Sequence, residues 1–342
     1  MLEQEPTLVI FVSTIEDLNL ANVHYTEILL AVVDNVIDLL YDIGVTLDGT
    51  LIKRAEKLLA QLAGDLVVES TSSSSHGYGL SAFFKVIGAN IRRDFDTREV
   101  LRNNVTTIIS DILEVTNELI SSAQEQTNKQ ILIIVDDLEK VTSRKQITEI
   151  FEGFSLVINK LDCHFVLTLP TSVIHSTETR QIRIDYCKTV MLPLFAIKKP
   201  DGTDNETEIQ EMEIIANKRI IGNSIPPDVL RQAALYSGGL IQDFLRLLEG
   251  ACLKAITNGK YKLSHDLLDE SFAELSNEYK VSIEARQIPL LKKIHETKSA
   301  DMDDDVKQLL FSLALLEYID RDSRGVWYDL HPAVVKAFEP IW

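Results

Sequence analysis

An α/β protein is the fold class this sequence predicts, with a parallel sheet first, then an all-helical region, then a small helix–hairpin–helix module. Three observations predict it. Short apolar runs alternate with long amphipathic stretches as far as Phe195, the signature of a parallel sheet with helical crossovers. The strand signal then stops, and four helical stretches follow. From Ile288 on, the order helix, helix, hairpin, helix is that of a winged-helix module.

Four strands are expected: TLVIFVS (7–13), ILIIVDD (131–137), HFVLTLP (164–170) and TVMLPLF (189–195). Each is nearly all apolar, as for strands covered on both faces. Between the first two lie helical stretches at 24–43, 48–64 and 97–126, the last opening on Thr97, Arg98 and Glu99. The polar KKPDGTDNETE (198–208), with its Pro-Asp-Gly turn, marks a domain boundary. Helices are expected at 207–220, 226–237, 239–257 and 264–284, with Pro226 and Pro227 at a helix start, where a missing N–H costs nothing. Ser237, Gly238 and Gly239 break the chain before the third of these. The last module comprises IPLLKKIHETKS, DDDVKQLLFSLALLEYI, a hairpin turning at Asp322–Gly325, and PAVVKAF. The domains expected are 1–197, 198–285 and 286–342.

At 342 residues, 45% hydrophobic and 25% charged, the chain has the composition of a soluble globular protein with two or three cores. Its longest apolar run, ILLAVVDNVIDLLYDIGV (28–45), carries Asp34, Asp38 and Asp42 on one helical face, so it is an amphipathic helix and no membrane span. No secretion signal opens the chain, and a cytoplasmic location is expected. Cys163, Cys187 and Cys252 lie far apart without metal-type spacing and are expected as free thiols. A formal net charge of −18 disfavours broad contact with nucleic acid and leaves protein partners or further copies of the chain as the expected company. STSSSSHGYG (70–79) is a low-complexity loop, whose Gly77 and Gly79 lack the Lys-Ser/Thr pair of a phosphate cradle.

The chemistry-bearing stretch is ILIIVDDLEK (131–140). In a parallel α/β sheet, ligands sit outside the carboxyl ends of the strands, where Asp136 and Asp137 fall. One aspartate there can orient Mg²⁺ through water, and its neighbour can position a water beside a phosphate. The alternative is that both simply cap the next helix. Glu139 is expected to pair with Lys140 or solvent. HFVLTLPTS (164–172) ends a further apolar strand in hydroxyls: Thr168, Thr171 and Ser172. The seven histidines form no metal-ligand spacing, no GxSxG elbow occurs, and Cys163 and His164 alternate to opposite faces of a strand.

In this order of motifs the chain resembles the P-loop ATPases of the AAA+/STAND division, over nearly its whole length. ILIIVDDLEK is similar to a Walker B strand and FVLTLPTS to a sensor-1 strand. Residues 207–284 resemble the helical lid, and LLFSLALLEYIDRDSRGVWYDLHPAVVKA the winged helix of the Cdc6/ORC-like and STAND branches. The resemblance implies ATP and Mg²⁺ as ligands. It implies Asp136 as the metal-orienting aspartate, Asp137 as the catalytic acid, and Thr168, or else Thr171, as the γ-phosphate sensor. Two departures stand against it. No GxxxxGK[ST] occurs, so the backbone cradle and lysine that hold the phosphates are missing. The sensor-2 arginine position is Gln242, with Arg246 one turn on as the substitute. Arg180 and Arg183 are the candidates for an arginine finger. The family's first strand and phosphate loop would precede residue 7. An upstream start, a re-paired sheet in a pseudo-ATPase, or a strand donated by another chain would each account for that.

Overall fold

The computed structural model describes residues 7–14, 18, 23–63, 95–141, 143–170, 173, 188–220, 225–320 and 325–342. The chain forms two compact units, residues 1–189 and 190–342.

The first unit is built on a parallel sheet of β1 (Thr7–Ser13), β2 (Gln130–Asp136) and β3 (His164–Leu167), in the order β1-β2-β3. β2 is therefore central, paired in register from Thr7↔Gln130 to Ser13↔Asp136 on one side and from Leu132↔His164 to Val135↔Leu167 on the other. Among the described residues four helices lie between β1 and β2: α1 (Tyr25–Asp42), α2 (Gly49–Ala63), α3 (Phe95–Thr107) and α4 (Ile109–Thr127). α5 (Arg144–Ile158) links β2 to β3.

Side-chain alternation sends Ile10, Val12, Ile131, Ile133 and Val135 into the core. Within that core lie Leu29 and Val33 of α1, Leu119 of α4, and Phe151 and Phe154 of α5, with Phe154 edge-on to Phe165 of β3. α1 starts in a capping box: the His24 ring accepts from Thr26 N–H, and the Glu27 carboxylate accepts from His24 N–H. Glu27 is itself buried and paired with Arg102 of α3 at 2.9 Å.

Three expectations are corrected. The stretch 97–126 is two helices, starting at Phe95 and broken at Ile108. The strands are not covered on both faces: Val9, Phe11 and Val166 are each about half exposed, and Leu132 and Ile134 between them are only partly buried. Residues 189–195 form no strand. Pro193 offers no N–H to a ladder, and Leu194 packs on a cluster of Leu240, Leu316, Tyr318 and Trp327 in the second unit.

The second unit opens with four helices, α6 (Glu206–Asn217), α7 (Pro227–Tyr236), α8 (Ile241–Thr257) and α9 (His265–Ser282), around Met212, Ala233, Phe244, Leu248 and Phe272. Then come α10 (Ile288–Thr297), α11 (Asp304–Phe311), an antiparallel hairpin of β4 (Leu315–Ile319) and β5 (Val326–Leu330), and α12 (Pro332–Phe338). The last helix before the hairpin ends at Phe311, so the expected helix over 312–316 is instead a turn and the start of β4, and the hairpin expected from Glu317 begins at Leu315. The turn at Asp322–Gly325 lies outside the described residues apart from Gly325. Ser276 of α9 donates to Ala333 O at 2.8 Å, and Tyr318 of β4 donates to Gly238 O at 2.6 Å, so bundle and hairpin module share hydrogen bonds as well as core. No helix among the described residues is long and apolar enough to cross a membrane.

Candidate functional site: the carboxylate tip of the central strand

The alternation that buries Val135 leaves Asp136 at the tip of β2 on the less covered face, opposite Ser13 of β1. Asp137 ends the strand. Its φ of 68° lies in the left-handed region, which aspartate tolerates better than most residues, and its N–H donates to Asp136 Oδ1 at 2.8 Å. A single 3₁₀ turn follows at residues 138–140, with Lys140 N–H donating to Asp137 O at 3.0 Å. Leu138 is fully buried and pins that turn to the core, so the neighbouring Glu139 and Lys140 are held beside the strand tip.

Each group at the tip has a partner. Ser13 Oγ donates to Asp137 Oδ2 at 2.7 Å, and Lys140 Nζ to Asp137 Oδ1 at 2.7 Å. Thr14 Oγ1 donates to Asp136 O at 3.0 Å. Thr168 stands just past β3, tied by its N–H to Val135 O at 3.1 Å, and its hydroxyl donates to Glu139 Oε2 at 2.7 Å. Of the two partners expected for Glu139, Lys140 turns to Asp137 instead, and Glu139 stays exposed while accepting from Thr168 across the sheet. Lys140 above all, with Ser13 beside it and against a smaller effect of burial, holds the Asp137 carboxyl below the usual carboxylate range. The same contact raises the ammonium of Lys140.

Asp136, Asp137 and Glu139 can each present one carboxylate oxygen within 4.8 Å of the others. Hard oxygen donors at that spacing suit a Mg²⁺-type cation, directly or through water, and Asp136 is the carboxylate most open to it, because its hydrogen bond comes from a backbone N–H whereas side chains donate to Asp137 and Glu139.

Of the residues singled out by sequence, Asp136, Asp137 and Thr168 come together here. Gln242 and Arg246 lie on α8 in the second unit. Gln242 is exposed, and Arg246 pairs with Glu278 at 2.8 Å and lies 3.6 Å from Asp243. Thr171, Ser172, Arg180, Arg183 and the loop 70–79 lie outside the described residues, as does Cys187. Cys163 and Cys252 are partly buried free thiols, Cys163 pushed up to about 12 by burial. The sequence reading passed over Ser13 and Thr14 and named Lys140 only as a partner for Glu139. The first two close an apolar strand with hydroxyls, the same signal that singled out Thr168.

No family model and no curated protein matches the chain. Among solved structures it is similar to the Aeropyrum pernix ORC2 protein in its ADPNP–ADP complexes, at 11% identity over 98% of this chain and 78% of that one, TM-score 0.39. It is also similar to the Aeropyrum pernix ORC1 protein in complex with DNA, at 13% identity over 87% of this chain and 94% of that one, TM-score 0.35.

Proposed function

We propose that the chain is an ATP-binding switch module of the AAA+/STAND type, in which Mg²⁺-bound nucleotide at the tip of β2 alters engagement with a protein partner or with further copies of the chain. One observation carries the reading. Two adjacent carboxylates end the central strand of a parallel sheet, and a threonine ends the neighbouring strand within reach of the same cluster. In this reading Asp136 holds the cation through water, and Asp137 and Glu139 complete its acidic surroundings. The cation supplies positive charge for the phosphates. Thr168 donates its hydroxyl to an outer phosphate oxygen once Glu139 releases it. Residues 1–197 are the nucleotide-binding core, 198–285 the lid bearing Arg246 and Gln242 as phosphate-sensing candidates, and 286–342 a winged helix. The test is thermal melting of the full chain in millimolar Mg-ATP. A rise in Tm that Asp136→Ala abolishes is expected, since a ligand bound only by the folded state stabilises it by mass action. No rise in the wild-type chain would sink the reading.

A second reading is a pseudo-ATPase scaffold for protein contacts. It is favoured by the internal pairing of Asp137 and Glu139, together with the missing GxxxxGK[ST]. It predicts indifference to ATP and to Asp136→Ala, and ATP turnover by the purified chain excludes it. A DNA-binding role for 286–342 is disfavoured: Lys292, Lys293, Arg321 and Arg324 are offset by Asp301, Asp303, Asp304 and Asp305. A gel shift at low salt tests it.

A further inference from the structure

The first unit has a strand edge with nothing on it, and the chain also has a strand-like segment with no sheet to lie in. β3 is the outer strand of its sheet. On the β2 side Thr168 N–H donates to Val135 O. By the two-residue alternation Val166 also faces β2, while the N–H and C=O of Phe165 and Leu167 point away. Among the described residues these outward groups have no partner. Phe165 and Leu167 reach the core yet stay only partly buried, and Val166 is 48% exposed. The edge carries neither proline nor lysine to guard it. The segment is residues 189–192, Thr-Val-Met-Leu. It belongs to no helix or strand, and its backbone makes no hydrogen bond among the described residues. The cluster that takes Leu194 leaves Val190 65% and Leu192 86% exposed.

We propose that residues 189–192 of one copy add to the edge of β3 in a second copy, as a further parallel strand. Edge and segment match in length, β3 being 4 residues long. With Thr189 opposite His164, Val190 and Leu192 fall beside Phe165 and Leu167 and extend the buried face, and Met191 falls beside Val166. Phe165 N–H then donates to Thr189 O, Met191 N–H to Phe165 O, and Leu167 N–H to Met191 O. Pro193 has no N–H and ends the ladder. Charge sets the direction. Lys188, exposed and unpaired among the described residues, meets the exposed carboxylate of Asp162, which no donor engages there, only when the strands run parallel. At the other end Glu139 already accepts from Thr168. The segment does not lie on its own chain's edge: that sheet ends at β3, and Leu194 and Ile197 hold the following residues in clusters of the second unit. Each copy carries both halves of the pairing. One strand pairing is small beside the roughly 1,600 Å² of a standard interface, so the association is micromolar. It does not depend on nucleotide at the tip of β2.

The test is sedimentation equilibrium of the purified full chain without nucleotide, over rising micromolar concentration. Salt at about 0.15 M screens the repulsion between chains of net charge −18. Wild type should associate as concentration rises. Met191→Pro removes the N–H that Phe165 O would accept, and should weaken association by at least about tenfold. Leu192→Asp on the segment and Val166→Asp on the edge should do the same. Residues 191 and 192 make no hydrogen bond among the described residues, so the melting temperature of dilute Leu192→Asp should equal that of wild type. Lys188→Glu should weaken association several-fold, and Asp162→Lys in the same chain should restore it. Leu253→Asp is the control, an apolar residue 59% exposed on α8, and should change nothing. A chain that stays monomeric at every concentration would overturn the proposal. So would association indifferent to Leu192→Asp or to Val166→Asp, or lost equally with Leu253→Asp.

Discussion

Lys140 Nζ stands 2.7 Å from Asp137 Oδ1 while Ser13 Oγ stands 2.7 Å from Oδ2, so both oxygens of the second aspartate are engaged before any ligand arrives. In the proposed site Lys140 is a built-in counter-ion that an incoming cation would displace. Lys140→Met is expected to tighten Mn²⁺ binding by about threefold to tenfold, measured by titration calorimetry, because a like charge leaves the site. The same pair makes a pH-dependent contribution to stability. Asp137 has a lowered carboxyl pKa in the folded chain, so its contribution is complete above the ordinary carboxylate range and is lost as pH falls through the lowered value. Wild type should therefore melt slightly above Lys140→Met near neutrality and level with it in strong acid. The difference should not exceed about 1 kcal/mol, because the lysine is solvent-screened.

The two carboxylates next to each other are not equivalent. Asp136 accepts from the backbone N–H of Asp137, whereas Asp137 is closed by two side chains. Asp136→Asn should weaken Mn²⁺ by at least ~tenfold, on the scale found for disturbed metal sites. Thr168→Val frees Glu139 from its hydrogen bond and should leave Mn²⁺ affinity equal or higher. Calorimetry on the two variants separates a carboxylate site from a helix cap: a capping pair would leave both affinities the same.

Gly239 explains why the expected fourth strand is not one. Its φ is +86°, and a Cβ built there would fall 1.8 Å from the backbone oxygen of Phe195. The backbone of Phe195 runs against this Ser-Gly-Gly turn, and Phe195 O also accepts from Ile197 N–H at 2.8 Å. Gly239→Ala must move backbone as well as adopt a left-handed conformation, and is expected to cost about 3 kcal/mol or more in urea unfolding. Gly259→Ala is the control, with φ +65° but open space around the added carbon, and should cost only about 1–2 kcal/mol.

What could be read in advance follows from how local each signal is. Periodicity and caps located β1, β2, β3 and the helices of the second unit other than α11 to within a few residues, because each element's burial is written in its own residues. The pair Asp136–Asp137 was legible because a strand rich in Ile and Val has to end somewhere charged. The break at Ile108 was not, since Ile108 and Ile109 continue the apolar pattern through the turn. The fate of 189–195 was not legible either: an apolar run states that it will be covered, and Leu240, Leu316 and Trp327 cover it in place of a sheet. Lys140 and Glu139 take separate partners because Leu138, just before them, is anchored in the core and the 3₁₀ turn decides where each side chain emerges.

That same alternation leaves a testable asymmetry in the sheet. Phe11 and Ile134 are register partners on one face, where Phe11 is 54% exposed, whereas Ile133 on the other face is wholly buried. Truncating a wholly buried isoleucine loses its transfer energy and leaves a cavity, so Ile133→Ala should cost about 2–5 kcal/mol. Phe11→Ala removes a larger side chain that water already reaches, and should cost less than Ile133→Ala, about 1 kcal/mol or below. Urea unfolding of the two variants reads the comparison directly. Should Phe11→Ala prove the costlier, the face drawn here as open is in fact covered, and the register of β1 against β2 must shift by one residue to account for it.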